Sequence, residues 1–244
     1  MKSDLHGTVS LVTGAAQGIG QAIADRLALN GSRVVYADLD PAKTAEAAKA
    51  HPGCVGMRMD VTQPNEIEAV ISKIVAEFGK LDLLVNNAGV NTIAHRVTID
   101  EFPREEWDRL LNVDLHGVFE VSRVAARVMK KQRSGRIINI ASIVGLVPLR
   151  LQCALVAAKA GVVNLTKAMA LELGPDGILV NGIAPGSTLT EGTRKLFYAE
   201  GGKFRDSVQP GLDHVFLGRP ATTDEIAVAA LFGRSRTAFA WATS

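Results

Sequence analysis

Thr8-Val9-Ser10-Leu11-Val12-Thr13-Gly14-Ala15-Ala16-Gln17-Gly18-Ile19-Gly20 is the stretch on which the fold turns. A short apolar run, Thr8 to Val12, enters a glycine-rich turn. The segment Ile19 to Leu29 then carries Ile19, Ala22, Ile23 and Leu27 on one helical stripe. In a strand, turn and helix of this kind, backbone N–H groups and the helix N-terminus face whatever lies above the turn, and a diphosphate is the natural occupant. The spacing Gly-x-x-x-Gly-x-Gly, at Gly14, Gly18 and Gly20, is a weak signal alone, because glycines serve turns of many kinds.

Working outward, the rhythm repeats. Arg33 to Tyr36, Val55 to Met59, Leu81 to Val85, Arg136 to Ile140 and Leu179 to Ile183 read as further strands, and Asn65 to Phe78 reads as an amphipathic helix. Strands alternating with helices predict an α/β fold: a single-domain, doubly wound parallel sheet covered on both faces, spanning residues 1–244. The rhythm breaks from Thr188 to Leu217, through Gly201, Gly202, Pro210 and Gly211. That stretch reads as a helical excursion ending in a mobile loop over the carboxyl edge of the sheet, where ligands bind in such folds.

Composition narrows the partners. The 244 residues are 47% hydrophobic and carry 27 basic against 25 acidic side chains, without a long run of either sign. Neither a nucleic-acid face nor an anionic membrane patch is indicated, and a small-molecule partner is expected. Cys54 and Cys153 lie far apart in no metal-binding spacing, which argues against disulfides and zinc and suits a reducing cytoplasm. Met1 to Gly7 has no apolar signal core, and the apolar stretches read as too short for a bilayer. A soluble cytoplasmic protein is expected.

The second strand ends in Tyr36-Ala37-Asp38, which places a carboxylate to accept both hydroxyls of an adenosine ribose and to repel a 2′-phosphate. NAD(H) is therefore expected in preference to NADP(H). The plainer alternative is that Asp38 caps the following turn beside Asp40 and Pro41.

Taken together, Thr13 to Gly20, Asp60-Val61, Asn86-Asn87-Ala88-Gly89, Ser142, Lys159 and Pro185-Gly186-Ser187-Thr188-Leu189-Thr190 stand in an order and spacing that resemble the short-chain dehydrogenase/reductase family over roughly residues 5 to 232. The resemblance implies a cofactor site of Gly14, Gln17, Gly18, Ile19 and Gly20 at the diphosphate and Asp38 at the ribose. Asp60 and Val61 would then lie at adenine and Asn87, Ala88 and Gly89 along the adenosine side. Lys159 would reach the nicotinamide ribose, with Pro185, Gly186, Thr188 and Thr190 at the nicotinamide. Asn86 to Gly89 also reads simply as a strand-ending turn, and the two roles are compatible.

The same resemblance implies hydride transfer between nicotinamide and an alcohol or carbonyl carbon, with serine, tyrosine, lysine and asparagine handling the proton. Ser142 and Lys159 match the serine and lysine; as plain residues they are a helix N-cap and a helix lysine. The tyrosine position, four residues before the lysine, is Leu155, which neither donates nor accepts a proton. Asp114 rather than Asn112 occupies the asparagine position, and an ion pair between Asp114 and Lys159 is expected. Cys153, His116 and Tyr198 are the candidates for a substitute donor, with Cys153 only two residues from Leu155 and so expected to point elsewhere on the helix. The resemblance implies a last strand and an Asp-Gly-Gly segment beyond Phe232, and neither is evident in Gly233 to Ser244, so that strand is expected to be missing or altered. Two functions follow: an NAD(H)-dependent oxidoreductase of a small alcohol, sugar or carbonyl compound with impaired proton transfer, or a non-catalytic NAD-binding regulatory or heteromeric subunit. A structural oligomer subunit is a third reading. The helices over Arg104 to Lys131 and Gln152 to Leu173 suit a homodimer or homotetramer.

Overall fold

The computed structural model describes residues 4–91, 95–197 and 215–233, except the side chains of 195–197 and 232–233. Six parallel strands form one sheet: β1 (Val9–Thr13), β2 (Arg33–Asp38), β3 (Val55–Arg58), β4 (Leu83–Asn86), β5 (Gly135–Ile140) and β6 (Ile178–Ile183), in the order β3-β2-β1-β4-β5-β6. The two central strands, β1 and β4, are buried along their whole length. This is why they read as unbroken apolar runs rather than alternating ones.

Successive side chains point to opposite faces and feed two cores. Leu11, Val35, Leu84 and Ile137 pack with α3 (Pro64–Phe78), α5 (Gly117–Gln132) and α6 (Cys153–Leu173). Val12, Tyr36, Val85 and Ile138 pack with α1 (Gly18–Leu29), α2 (Pro41–Lys49) and α8 (Thr223–Gly233). All six predicted strands are present, with ends shifted by one or two residues. β4 starts at Leu83 rather than Leu81 because both backbone groups of Leu81 bond to the Gln132 side-chain amide.

Local chemistry sets the helix ends. Asp40 caps α2 by accepting from the N–H groups of Ala42 and Lys43, with Pro41 at the first helical position. The expected long helix from Arg104 is α4 (Arg104–Leu111) running into α5 through one π-helical turn, Asn112–His116. With the turn that follows it, α6 is long and apolar enough by length and composition to cross a membrane, which corrects the expectation that every apolar stretch is too short. That composition serves burial here, because Ala154, Ala158, Val162, Val163 and Met169 are buried and the helix packs along β6.

After β6 the chain forms β7 (Thr188–Leu189) and α7 (Glu191–Phe197), and β7 pairs with β8 (Ala221–Thr222) ahead of α8. This small parallel pair was not foreseen. Most of the expected 188–217 excursion, Tyr198 included, and the tail from 234 on which the missing-strand expectation rests lie outside the described residues. Among the described residues, β6 is paired on one side only, with β5.

Entry to α8 is a capping box. Thr222 N–H donates to Glu225, and Glu225 N–H donates to Thr222 Oγ1. The Arg219 guanidinium, and then the Thr222 N–H, hold the Glu225 carboxyl down to about 2. A depressed folded value means that this stabilisation is full above the ordinary carboxylate range and fades as pH falls toward 2. A carboxylate NMR titration should find the Glu225 midpoint well below that of an ordinary glutamate, and Arg219→Ala should return it toward the ordinary carboxylate range.

Candidate active site

Because every strand of the main sheet is parallel, all the carboxyl ends lie on one edge. The residues after β1, β2, β3, β4, β5 and β6 therefore gather there although they are far apart in sequence. Strand order reverses between β1 and β4, and the crevice opens at that point.

The nucleotide end is built around close backbone approach. Gly14 has φ +64°, and a Cβ there would lie 2.8 Å from Ala88 Cα; a Cβ on Gly20 would lie 2.1 Å from the Gly14 carbonyl oxygen. Thr13 Oγ1 accepts from the N–H groups of Asn87 and Ala88, both at 3.0 Å. Asn87 Nδ2 donates as well to the carbonyls of Thr13 and Gly14, also at 3.0 Å. The side-chain amide of Asn87 thus holds the glycine turn. Gln17 makes no side-chain cap to α1, which leaves the first-turn N–H groups facing a cavity of about 690 Å³ lined by Ala16, Gln17, Gly18, Gln21, Thr190 and Arg194.

Asp38 stands beside this turn, its Oδ2 accepting from Ala16 N–H at 3.1 Å and its Oδ1 from Asp40 N–H at 3.4 Å. The helix cap itself is Asp40, so Asp38 is left at the mouth of the crevice with acceptor capacity remaining on both oxygens. Asp60 Oδ1 accepts from Thr62 N–H and Oγ1, and buried Val61 packs against Gly117. Thr188 donates to the Gly186 carbonyl, and Thr190 exchanges bonds with Thr193 at the start of α7. Pro185 accepts from Ile143 N–H, tying the β6 end to the loop that carries Ser142.

At the catalytic end Ser142 caps the short 3-10 turn Ile143–Gly145 by accepting from Val144 N–H. Accepting leaves its own O–H to donate. Lys159 and Asp114 are both buried, with Nζ 3.2 Å from Oδ2: the ion pair expected from the sequence is formed. Lys159 also donates to the Ile140 carbonyl at 3.4 Å, and Asp114 Oδ1 accepts from Val90 N–H at 2.7 Å. Within the π turn Asp114 is buried while Asn112 and His116 are exposed.

Leu155 lies one helical turn before Lys159 on the same face of α6 and is half-buried. None of the sequence's substitute donors is placed here among the described residues. His116 is exposed, and Cys153 sits two positions from Leu155, pointing off its face. Tyr36 is fully buried in β2, where it donates to Asp25 at 2.9 Å; burial, then the Asp25 charge, push its phenol well above the ordinary range.

Three supports were missed. Asn86 donates to Ser122 and Asn139, and Asn139 to Thr166, lacing β4 and β5 to α5 and α6 beneath the site. Asn139 within the apolar run Ile137 to Ile140 was the available signal. Gly145 lets its turn press on α6, since a Cβ there would lie 2.6 Å from the Lys159 carbonyl. The third is the Val90 N–H, which sequence cannot locate.

The short chain dehydrogenase family profile matches residues 8–201. The chain belongs to the short-chain dehydrogenase/reductase family. It is 38% identical over 232 residues to the 3-oxoacyl-(acyl-carrier-protein) reductase FabG of Thermotoga maritima, covering 93% of this chain and 90% of that one. It is also 38% identical over 244 residues to the D-beta-hydroxybutyrate dehydrogenase of Cupriavidus necator, covering 96% and 93%. Among solved structures, gox2181 superposes with a TM-score of 0.87 at 31% identity, covering 95% of this chain and 90% of that one. A structure described as ribose-5-phosphate isomerase from Brucella melitensis gives 0.86 at 32% identity, covering 96% and 88%. Family members are oxidoreductases that use a nicotinamide cofactor and act on small molecules.

The buried pair has a measurable signature. Lys159→Met leaves a buried carboxylate uncompensated and should lower the unfolding free energy by about 3–5 kcal/mol in denaturant titrations. The double change Asp114→Asn with Lys159→Met should recover most of that loss.

Proposed function

We propose that this chain is an NAD(H)-dependent oxidoreductase of a small alcohol, sugar or carbonyl compound whose proton transfer is impaired, and the observation that carries the reading is Leu155 at the tyrosine position beside Ser142, Lys159 and the glycine turn. The geometry fits a dinucleotide: Gly14 and Gly20 let the turn pack tightly against itself and the β4 turn, and α1 begins above it with no side-chain cap on its first-turn N–H groups. Gly14, Gln17, Gly18, Ile19 and Gly20 would hold the diphosphate and Asp38 the adenosine ribose. Asp60, Val61 and the backbone of Asn87 to Gly89 would line the adenosine. Pro185, Gly186, Thr188 and Thr190 would border the nicotinamide, which when bound supplies or accepts the hydride.

The chain's own residues then divide the work. Ser142 donates its hydroxyl to the substrate oxygen and steadies charge developing there. Lys159 orients the ribose from beneath while sharing its charge with Asp114. Leu155 offers no proton, so water must supply it, and losing a positioned general acid costs about 10²- to 10⁴-fold in rate. The substrate class draws support from the names of the relatives, which include a 3-oxoacyl reductase, a hydroxybutyrate dehydrogenase and a threitol dehydrogenase.

A second reading, a non-catalytic NAD-binding subunit, is favoured by one observation: Lys159 is already neutralised by Asp114. In either case we infer a single cytoplasmic domain assembled as a homodimer or homotetramer. Exposed Phe119 on α5 and Leu171 on α6 are apolar surface such an assembly would bury.

Calorimetry should find NADH bound at least about tenfold more tightly than NADPH, and Asp38→Asn should narrow the gap, because a carboxylate facing a 2′-phosphate is strongly unfavourable. In steady-state assays over an alcohol and carbonyl panel, Leu155→Tyr should raise turnover by about 10- to 1000-fold. No rise would favour the non-catalytic reading.

A further inference from the structure

We infer that Asp114 shifts this site's preference toward the oxidised dinucleotide, relative to the neutral asparagine that the family pattern would place at 114, by cancelling the Lys159 charge. The inference rests on the proposed dinucleotide site, with Lys159 at its nicotinamide end. Lys159 Nζ and Asp114 Oδ2 are 3.2 Å apart, with 10% and 1% of their side chains exposed. A Cβ built on Gly89 would lie 3.4 Å from both Asp114 oxygens and 3.5 Å from Lys159 Nζ, so the pair sits directly behind the β4 turn that walls the crevice.

The nearby charges on α4 cancel locally as well: Arg109 pairs with Glu106 at 2.7 Å, and His95 lies 3.6 Å from the same carboxylate. The charge behind the turn is therefore close to zero. With the asparagine of the family pattern at 114 it would be that of an isolated ammonium.

The two redox forms of the dinucleotide differ chiefly in one charge, the pyridinium of NAD+ against the neutral ring of NADH. A lone buried ammonium within several ångströms of the ring repels the oxidised form, and a paired one does not. At such separations in protein surroundings the difference is worth about tenfold or more in relative affinity, and burial keeps salt from screening it. Asp114 is held in place to do this, because Oδ1 accepts from Val90 N–H at 2.7 Å while Oδ2 faces the lysine.

Asp114→Asn isolates the effect, since an amide oxygen can keep the Val90 bond while removing the charge. Calorimetry of NAD+ and NADH on the purified full chain gives the ratio of the two affinities, and thermal unfolding checks that each variant is folded. Asp114→Asn should shift that ratio toward NADH by about tenfold. Adding Lys159→Gln should bring it back to within about twofold of the original, because that site is again uncharged. If Asp114→Asn does not fold, Lys159→Gln alone should shift the ratio toward NAD+. Binding of both nucleotides with a ratio these changes leave unmoved overturns the inference. Binding of neither to the unaltered chain overturns the dinucleotide reading beneath it, and the shifted preference with it.

Discussion

Two strand-ending turns meet where β1 and β4 part, and the molecule is organised around that contact. Thr13 and Gly14 press against Asn87 and Ala88 so closely that a single methyl at Gly14 would collide with the neighbouring backbone. Asn87 donates its backbone N–H to the Thr13 hydroxyl and its side-chain amide to the Thr13 carbonyl, locking the two turns together. The constraint is steric and directional at once. It holds α1 with its N-terminus aimed into the crevice, and it carries the β4 turn forward to Gly89 and Val90, which touch the second half of the site.

That second half is a charge problem solved by pairing. Lys159 is carried on the core helix α6, where an isolated ammonium would be costly to bury. Asp114 faces it from the π turn between α4 and α5, and the Val90 N–H completes the carboxylate's contacts on one oxygen. Three elements distant in sequence thereby share one small polar centre in apolar surroundings. A buried pair is weak evidence for stability, because desolvation offsets much of its attraction. Its consequence is electrostatic: an ammonium already paired with a carboxylate projects little net charge onto its surroundings.

The relatives illustrate how far a fold carries function. Chains of similar length and backbone bear the names of a reductase, a dehydrogenase and an isomerase, so the scaffold sets where chemistry happens, while side chains at the carboxyl edge set which chemistry. Here the edge carries Ser142, Lys159 and the glycine turn, with Leu155 one helical turn before Lys159. Tyr36, the tyrosine among the described residues, is buried in the core on one face of the sheet and donates to Asp25.

Much of this was legible in the sequence because its determinants are local. Apolar runs buried on both faces, helical stripes and the glycine turn require only neighbouring residues, so all six strands and the crevice-forming turn could be read directly. The substitutions at 155 and 114 were equally plain, being matters of residue type at a position. What tertiary structure decided was contact between distant segments: that Asp38 holds the glycine turn while Asp40 does the capping, that Asn87 spends its amide on Gly14, that Asn86, Asn139 and Thr166 lace sheet to helices, and that Val90 lends its N–H to Asp114. Hydrogen bonds and ion pairs depend on distance and direction in space, and a sequence records neither until the sheet has brought its carboxyl ends together.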